Sequence, residues 1–178
     1  MMPKKAKEEI VYEYFKLDEF YIRGRFKDLV DKMWVQNKRT ESYFRALIDI
    51  YAISAVIGLK IGRRLPDDTS DEKRTVQLKQ ISDYIQILKP IMQLVLMLDT
   101  SRGLSEEERI QSAFQNPETK DIYTENMELF NSYARGGIEY LYECLITRDR
   151  DEETDLFDDE RLNNIIAVLS GPMSDSAL

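Results

Sequence analysis

Apolar positions recur along this chain with a helical period. Over 40–61, Leu47, Ile48, Ile50, Tyr51, Ile53, Val56, Ile57 and Leu59 cover nearly the whole circumference of a helix. A helix apolar all round is buried all round, so this spacing predicts a central helix at about 42–61. Thr40 or Ser42 is expected to cap its start with a hydroxyl. Gly62 suits the left-handed residue that ends a helix, and Arg63 and Arg64 then lie just past the negative end of its dipole. The small residues Ala52, Ser54, Ala55 and Gly58 let neighbours approach closely.

The same period runs on either side. Phe26, Leu29, Val30, Met33 and Trp34 form one stripe. Residues 10–25 are ambiguous between strand and helix and read as helix, with a break at Gly24. Residues 65–71 read as a loop whose Thr69 or Ser70 caps the next element. Residues 73–98 read as one helix that Pro90 kinks or splits, because proline lacks a backbone donor. Ser105 stands three residues before Glu108, the capping-box spacing, and opens a short helix to about 115. Residues 119–146 read as a long helix with Gly136-Gly137 in its middle, a kink or a close crossing. An acidic connector then leads to a short final helix. The expected fold is all-α, a single compact domain of about five to seven helices around the central one. It divides into an aromatic and basic segment (1–25), a helical core (26–147), and the acidic connector with its short helix (148–178).

Composition narrows the chemistry. Hydrophobic residues are 43% of the 178, enough for a core. With one cysteine, Cys144, there is no intrachain disulfide and no cysteine cluster for zinc. With no histidine there is no Ser-His-Asp or Cys-His machinery and no HExxH zinc site. Cys144 reads as a small apolar residue on a helix, not as a nucleophile. The most apolar stretch, 46–59, falls short of the ~20 residues a bilayer requires. The first residues lack the apolar core of a secretory signal. The expectations are a cytoplasmic, non-catalytic protein with no cofactor and no membrane contact.

Charge is unevenly spread. Residues 1–64 carry 14 Lys+Arg against 9 Asp+Glu, and residues 65–178 carry 11 against 24. The net charge of −8 is therefore +5 in the first part and −13 in the second. Arg23, Arg25, Lys27, Lys60, Arg63 and Arg64 are the candidates for contact with a partner protein or a phosphate. An acidic partner, or the chain's own acidic part, would meet them equally well. Gly58-Leu-Lys-Ile-Gly62-Arg-Arg has the outline of a phosphate loop but lacks the Gly-Lys-Ser/Thr ending and follows a helix. In the connector, Asp149, Asp151, Glu153, Asp155 and Glu160 fall at positions 1, 3, 5, 7 and 12 of an EF-hand calcium loop. Thr154 occupies the position where the tight turn wants glycine, so a solvated linker is the better reading and no metal is assigned.

Two stretches carry a family resemblance. One is Asp49-IYAISAVIGLKIGRRLP, a buried helix closing in Gly-x-Arg-Arg-x-Pro. The other is Phe130-NSYARGGIEYL, a Tyr-Ala-x-Gly-Gly-Ile-Glu pattern. Together they resemble small helical proteins encoded beside bacterial DNA-phosphorothioation (Dnd) and related anti-phage defence systems, over roughly residues 26–147. That resemblance implies an accessory role in DNA defence and supplies no catalytic residues. The expected function is an adaptor subunit that docks on another protein of its system or on itself. The alternative is a nucleic-acid-binding regulator using the basic first third.

Overall fold

The computed structural model describes residues 11–34 and 42–171. Its elements run β1 (Phe20–Arg23), α1 (Gly24–Met33), α2 (Leu47–Lys60), β2 (Lys73–Val76), α3 (Leu78–Asp83), α4 (Ile85–Leu98), α5 (Glu106–Phe114), α6 (Lys120–Leu145) and α7 (Glu160–Ser170). The expected helical architecture holds, with one small antiparallel sheet added. No helix among the described residues is long and apolar enough to cross a membrane.

The core lies between α2 and α6. Tyr51 is its centre: its ring stacks on Phe20 at 4.2 Å and meets Phe130 edge-on at 5.3 Å. Its hydroxyl donates to Asn131 Oδ1 at 2.7 Å, so the buried phenol does not lose its hydrogen bond. Phe15 reaches the same cluster, 5.0 Å from Phe130, so part of the aromatic N-terminal segment belongs to this core. On α2, Ile53 and Val56 stay open to solvent. Helices α6 and α4 pack on it, and the expectation of burial all round is corrected to burial on most sides.

Several boundaries differ from the expected ones for identifiable reasons. Residues 20–23 are a strand, not a helix: Phe20 and Ile22 alternate inward, and the pairing register is Phe20↔Val76 to Arg23↔Lys73. The partner strand takes the first residues of the expected helix 73–98. The helical remainder breaks at Tyr84, between α3 and α4, and not at Pro90. Pro90 lacks the N–H that would bond the Gln86 carbonyl. Gln86 is exposed, and α4 runs through Pro90 without a break. The Tyr84 hydroxyl donates to Asp49 Oδ1 at 2.8 Å and fixes the joint against α2.

The start of α2 is later than expected, with Ala46 as N-cap and no side-chain cap. Thr40 lies outside the described residues, and Ser42 precedes the helix by several positions. Gly62 does take the left-handed conformation, at φ 66°. Gly24, also left-handed at φ 48°, turns β1 into α1. The loop 65–72 caps α1 instead of the element after it: Asp68 accepts from the Arg25 N–H at 3.1 Å and from the Ser70 N–H at 2.9 Å. These backbone donors hold the Asp68 carboxyl below its ordinary range. The Ser105–Glu108 capping box is complete, with Glu108 accepting at 2.8 Å and Ser105 at 3.2 Å.

Candidate functional site

The two sequence motifs that stood out are packed against each other. Helix α6 passes through Gly136-Gly137 without a break, so the glycines mark a crossing and not a kink. A Cβ on Gly137 would stand 1.9 Å from the Ser54 carbonyl oxygen, and one on Gly58 would stand 2.0 Å from that of Tyr133. A Cβ on Gly136 would meet the Arg63 carbonyl oxygen at 2.0 Å. Backbone thus touches backbone where α2 crosses α6, which only glycine permits.

Arginines lock this crossing. Arg135 is 2% exposed. Its Nε donates to the Leu65 carbonyl at 2.9 Å, and its guanidinium also meets the Glu128 carboxylate and lies 3.8 Å from Asp67. The Leu65 N–H in turn donates to the Ser132 carbonyl at 3.0 Å. Arg64 Nε donates to Ser132 Oγ at 3.2 Å, and Nη1 lies 3.6 Å from buried Asp99. Asp99 accepts the Tyr133 hydroxyl at 2.6 Å and the Ser101 hydroxyl at 2.9 Å. Burial, helped by that carboxylate, raises the Tyr133 phenol well above its usual range.

The remaining candidate cations also meet the chain's own groups. Arg63 Nη1 donates to both oxygens of Glu143 at 2.9 and 3.0 Å and lies 3.5 Å from Glu139. Arg25 reaches the same Glu139 at 3.1 Å. Arg23 lies 3.8 Å from Asp67. Lys27 Nζ lies 3.2 Å from Asp28, 3.7 Å from Asp31 and 3.3 Å from Glu72. Lys60 donates to the Leu169 carbonyl at 3.1 Å. The fold therefore brings Arg25, Arg63 and Glu139 together, and sets Arg64 on the far side of the crossing with Asp99. Spacing alone did not single out Arg135, Asp99 or Tyr133. The signal for Arg135 was its place inside the small-residue motif, where a long cation has nowhere to go but inward.

In the acidic connector the carboxylates turn to the chain's own donors. Asp155 turns to Arg148, whose guanidinium holds its carboxyl below the ordinary range. Its other oxygen accepts from the Asp151 N–H at 3.1 Å. Asp151 Oδ1 accepts from the Glu153 N–H at 2.9 Å. Among the described residues no three acidic, cysteine or histidine side chains gather as a metal site, and Asp149 and Glu160 join no such group. Cys144 is half-buried beside Tyr140; burial pushes its thiol up, away from the thiolate a nucleophile requires.

A cavity of about 640 Å³ lies between α5 and the start of α6, floored by Tyr14, Arg102 and Asn126. A line of bonds joins these three: Arg102 Nη1 donates to Asn126 Oδ1 at 2.7 Å, and Asn126 Nδ2 donates to the Tyr14 hydroxyl at 2.6 Å. These bonds hold the N-terminal segment on α6, while Arg102 Nε and Nη2 are buried without a hydrogen bond among the described residues. No protein-family model, curated protein or solved structure matches the chain.

Proposed function

We propose that this protein is a non-catalytic adaptor subunit of a bacterial anti-phage or DNA-defence complex, working in the cytoplasm through protein–protein contacts. The observation that carries the reading is the internal use of charge. Arg23, Arg25, Lys27, Arg63 and Arg64 meet the chain's own carboxylates, while Lys60 meets a backbone carbonyl. Apolar side chains stay at the surface as well: Ile87, Leu94 and Leu98 on α4, Phe114 on α5, and Leu169 on α7 are all exposed. Such side chains favour a protein partner, where their burial stabilises the complex. The resemblance of the Gly-x-Arg-Arg-x-Pro and Tyr-Ala-x-Gly-Gly-Ile-Glu stretches to Dnd-associated proteins supports the defence setting.

The test is co-expression with the proteins encoded by adjacent genes, followed by size-exclusion chromatography with light scattering. Co-elution with a neighbour, or self-association, is the expected result; a monomer that retains no neighbour sinks the reading. Nucleic-acid regulation would require those ion pairs to open toward phosphate. Phosphate neutralisation releases counterions, so it demands affinity that falls steeply with salt. Titration of a labelled duplex at low and moderate salt is expected to show no saturable binding.

A further inference from the structure

Helix α7 is amphipathic with its polar side inward. Asn163 and Asn164 are its buried residues. Asn164 Nδ2 donates to the Leu145 carbonyl at 3.2 Å, and its Oδ1 accepts from Arg148 at 3.3 Å. Asn163 closes a pair of bonds with the Phe157 backbone at 3.1 and 2.7 Å. Lys60 grips the far end through the Leu169 carbonyl. These hydrogen bonds, together with Val168 packed against the core, seat the helix on the domain. Leu162, Ile165 and Leu169, at helical spacing on one stripe, are 39%, 41% and 71% exposed. Leu156 and Phe157, just ahead of the helix, are 79% and 44% exposed. Isolated exposed leucines need no explanation, but a stripe of them does.

The surroundings select what covers this stripe. Asp149, Asp151, Glu152, Glu153, Asp158, Asp159 and Glu160 are exposed around the connector and the helix start, with Arg150 the exposed cation among them. A second copy of the chain would meet the stripe through a two-fold contact, which sets the same patch against itself. That brings two acidic rims together, and like charges across an interface are strongly disfavoured. We propose that the α7 face docks an amphipathic helix of a partner protein whose apolar stripe is flanked by lysine or arginine. Burying the stripe gives the apolar gain, and the acidic rim steers the basic helix and fixes its register. The proposal rests on the adaptor reading and names the surface and the chemistry of its partner.

The probe is a fluorescein-labelled synthetic helix of leucine and lysine with its leucines on one stripe, beside a leucine–glutamate counterpart of the same pattern. Each is titrated with the full chain and followed by anisotropy. The expected result is saturable binding of the leucine–lysine helix and none of the leucine–glutamate helix. The combined variant Leu162→Ser, Ile165→Ser, Leu169→Ser changes solvent-facing positions, and circular dichroism is expected to match the parent. It should weaken binding at least about tenfold, since each lost leucine removes more than that from a fully buried contact. Equal binding of both helices, unaltered binding by the variant, or no binding of the leucine–lysine helix overturns the proposal. So does a concentration-dependent dimer in sedimentation that the variant abolishes, which assigns the face to a second copy. A neighbour-encoded protein held equally by parent and variant overturns the α7 face alone and leaves the adaptor reading standing.

Discussion

At the residue scale, the helix crossing turns on atoms that are missing. Alanine is ordinarily a better helix former than glycine by about 1 kcal/mol. At Gly137 that gain is overridden, because the added methyl would stand 1.9 Å from the Ser54 carbonyl oxygen and the neighbour is backbone. Gly137→Ala is expected to cost about 2–3 kcal/mol, the upper part of the usual overpacking range. Gly62→Ala has open space around it and only the left-handed φ to bear, and is expected to cost about 1 kcal/mol. Urea denaturation measures both, and equal losses would contradict a crossing held by glycine. Arg135 offers a second contrast. Arg135→Met strips the Leu65 carbonyl of its buried donor and should cost about 1–3 kcal/mol. Arg63→Met removes a half-exposed ion pair and should cost about 0–1 kcal/mol.

At the scale of elements, local signals and distant ones separate cleanly. The α5 start was legible because Ser105 and Glu108 settle it between themselves within one turn. Ser105→Ala is expected to cost about 1 kcal/mol by the same denaturation measurement. The end of α2 at Gly62 and the run of α6 were legible for the same reason. Strands β1 and β2 were not. Each is four residues long, a two-stranded ribbon is marginal by itself, and the two halves flank α2 in the chain. Only the packing of Phe20, Ile22 and Val76 into the core makes them strands. The α1 cap is likewise non-local. Asp68 arrives from the far side of α2, so Asp68→Ala is expected to lower the melting temperature while Asp71→Ala, exposed in the same loop, leaves it nearly unchanged. The candidate cations were legible as residues but not in their engagement, since spacing cannot show that Glu139 would stand between Arg25 and Arg63.

For the whole molecule, the described cations of the +5 part do not stand apart from the carboxylates of the −13 part. Arg23, Arg25, Lys27, Arg63 and Arg64 reach across to Asp67, Glu139, Glu72, Glu143 and Asp99, and the surplus acid collects in the connector. This interleaving sets the response to pH. Asp68, Glu108, Asp151 and Asp155 all have carboxyl pKa values lowered by backbone N–H groups or by Arg148. A lowered folded value means stability that is complete above the unfolded pKa of about 4 and is lost as pH falls through the folded values. At the other end, burial raises the phenols of Tyr51, Tyr123 and Tyr133 and the Cys144 thiol. A raised folded value means stability that is complete below the unfolded pKa and is lost as pH rises through the folded one. Tyr140, buried against Cys144 and pushed up to about 12, acts in the same direction. Between these arms the chain has no histidine to titrate. Scanning calorimetry is therefore expected to give a melting temperature that is flat from about pH 6 to 8 and falls on both sides. Asp155→Asn should lower the plateau and shrink the acid arm, because the variant has no carboxylate left to protonate. Tyr133→Phe should shrink the alkaline arm, because the variant has no phenol left to ionise. A slope through the neutral range, or an acid arm unchanged in Asp155→Asn, would contradict this assignment of charge to the fold.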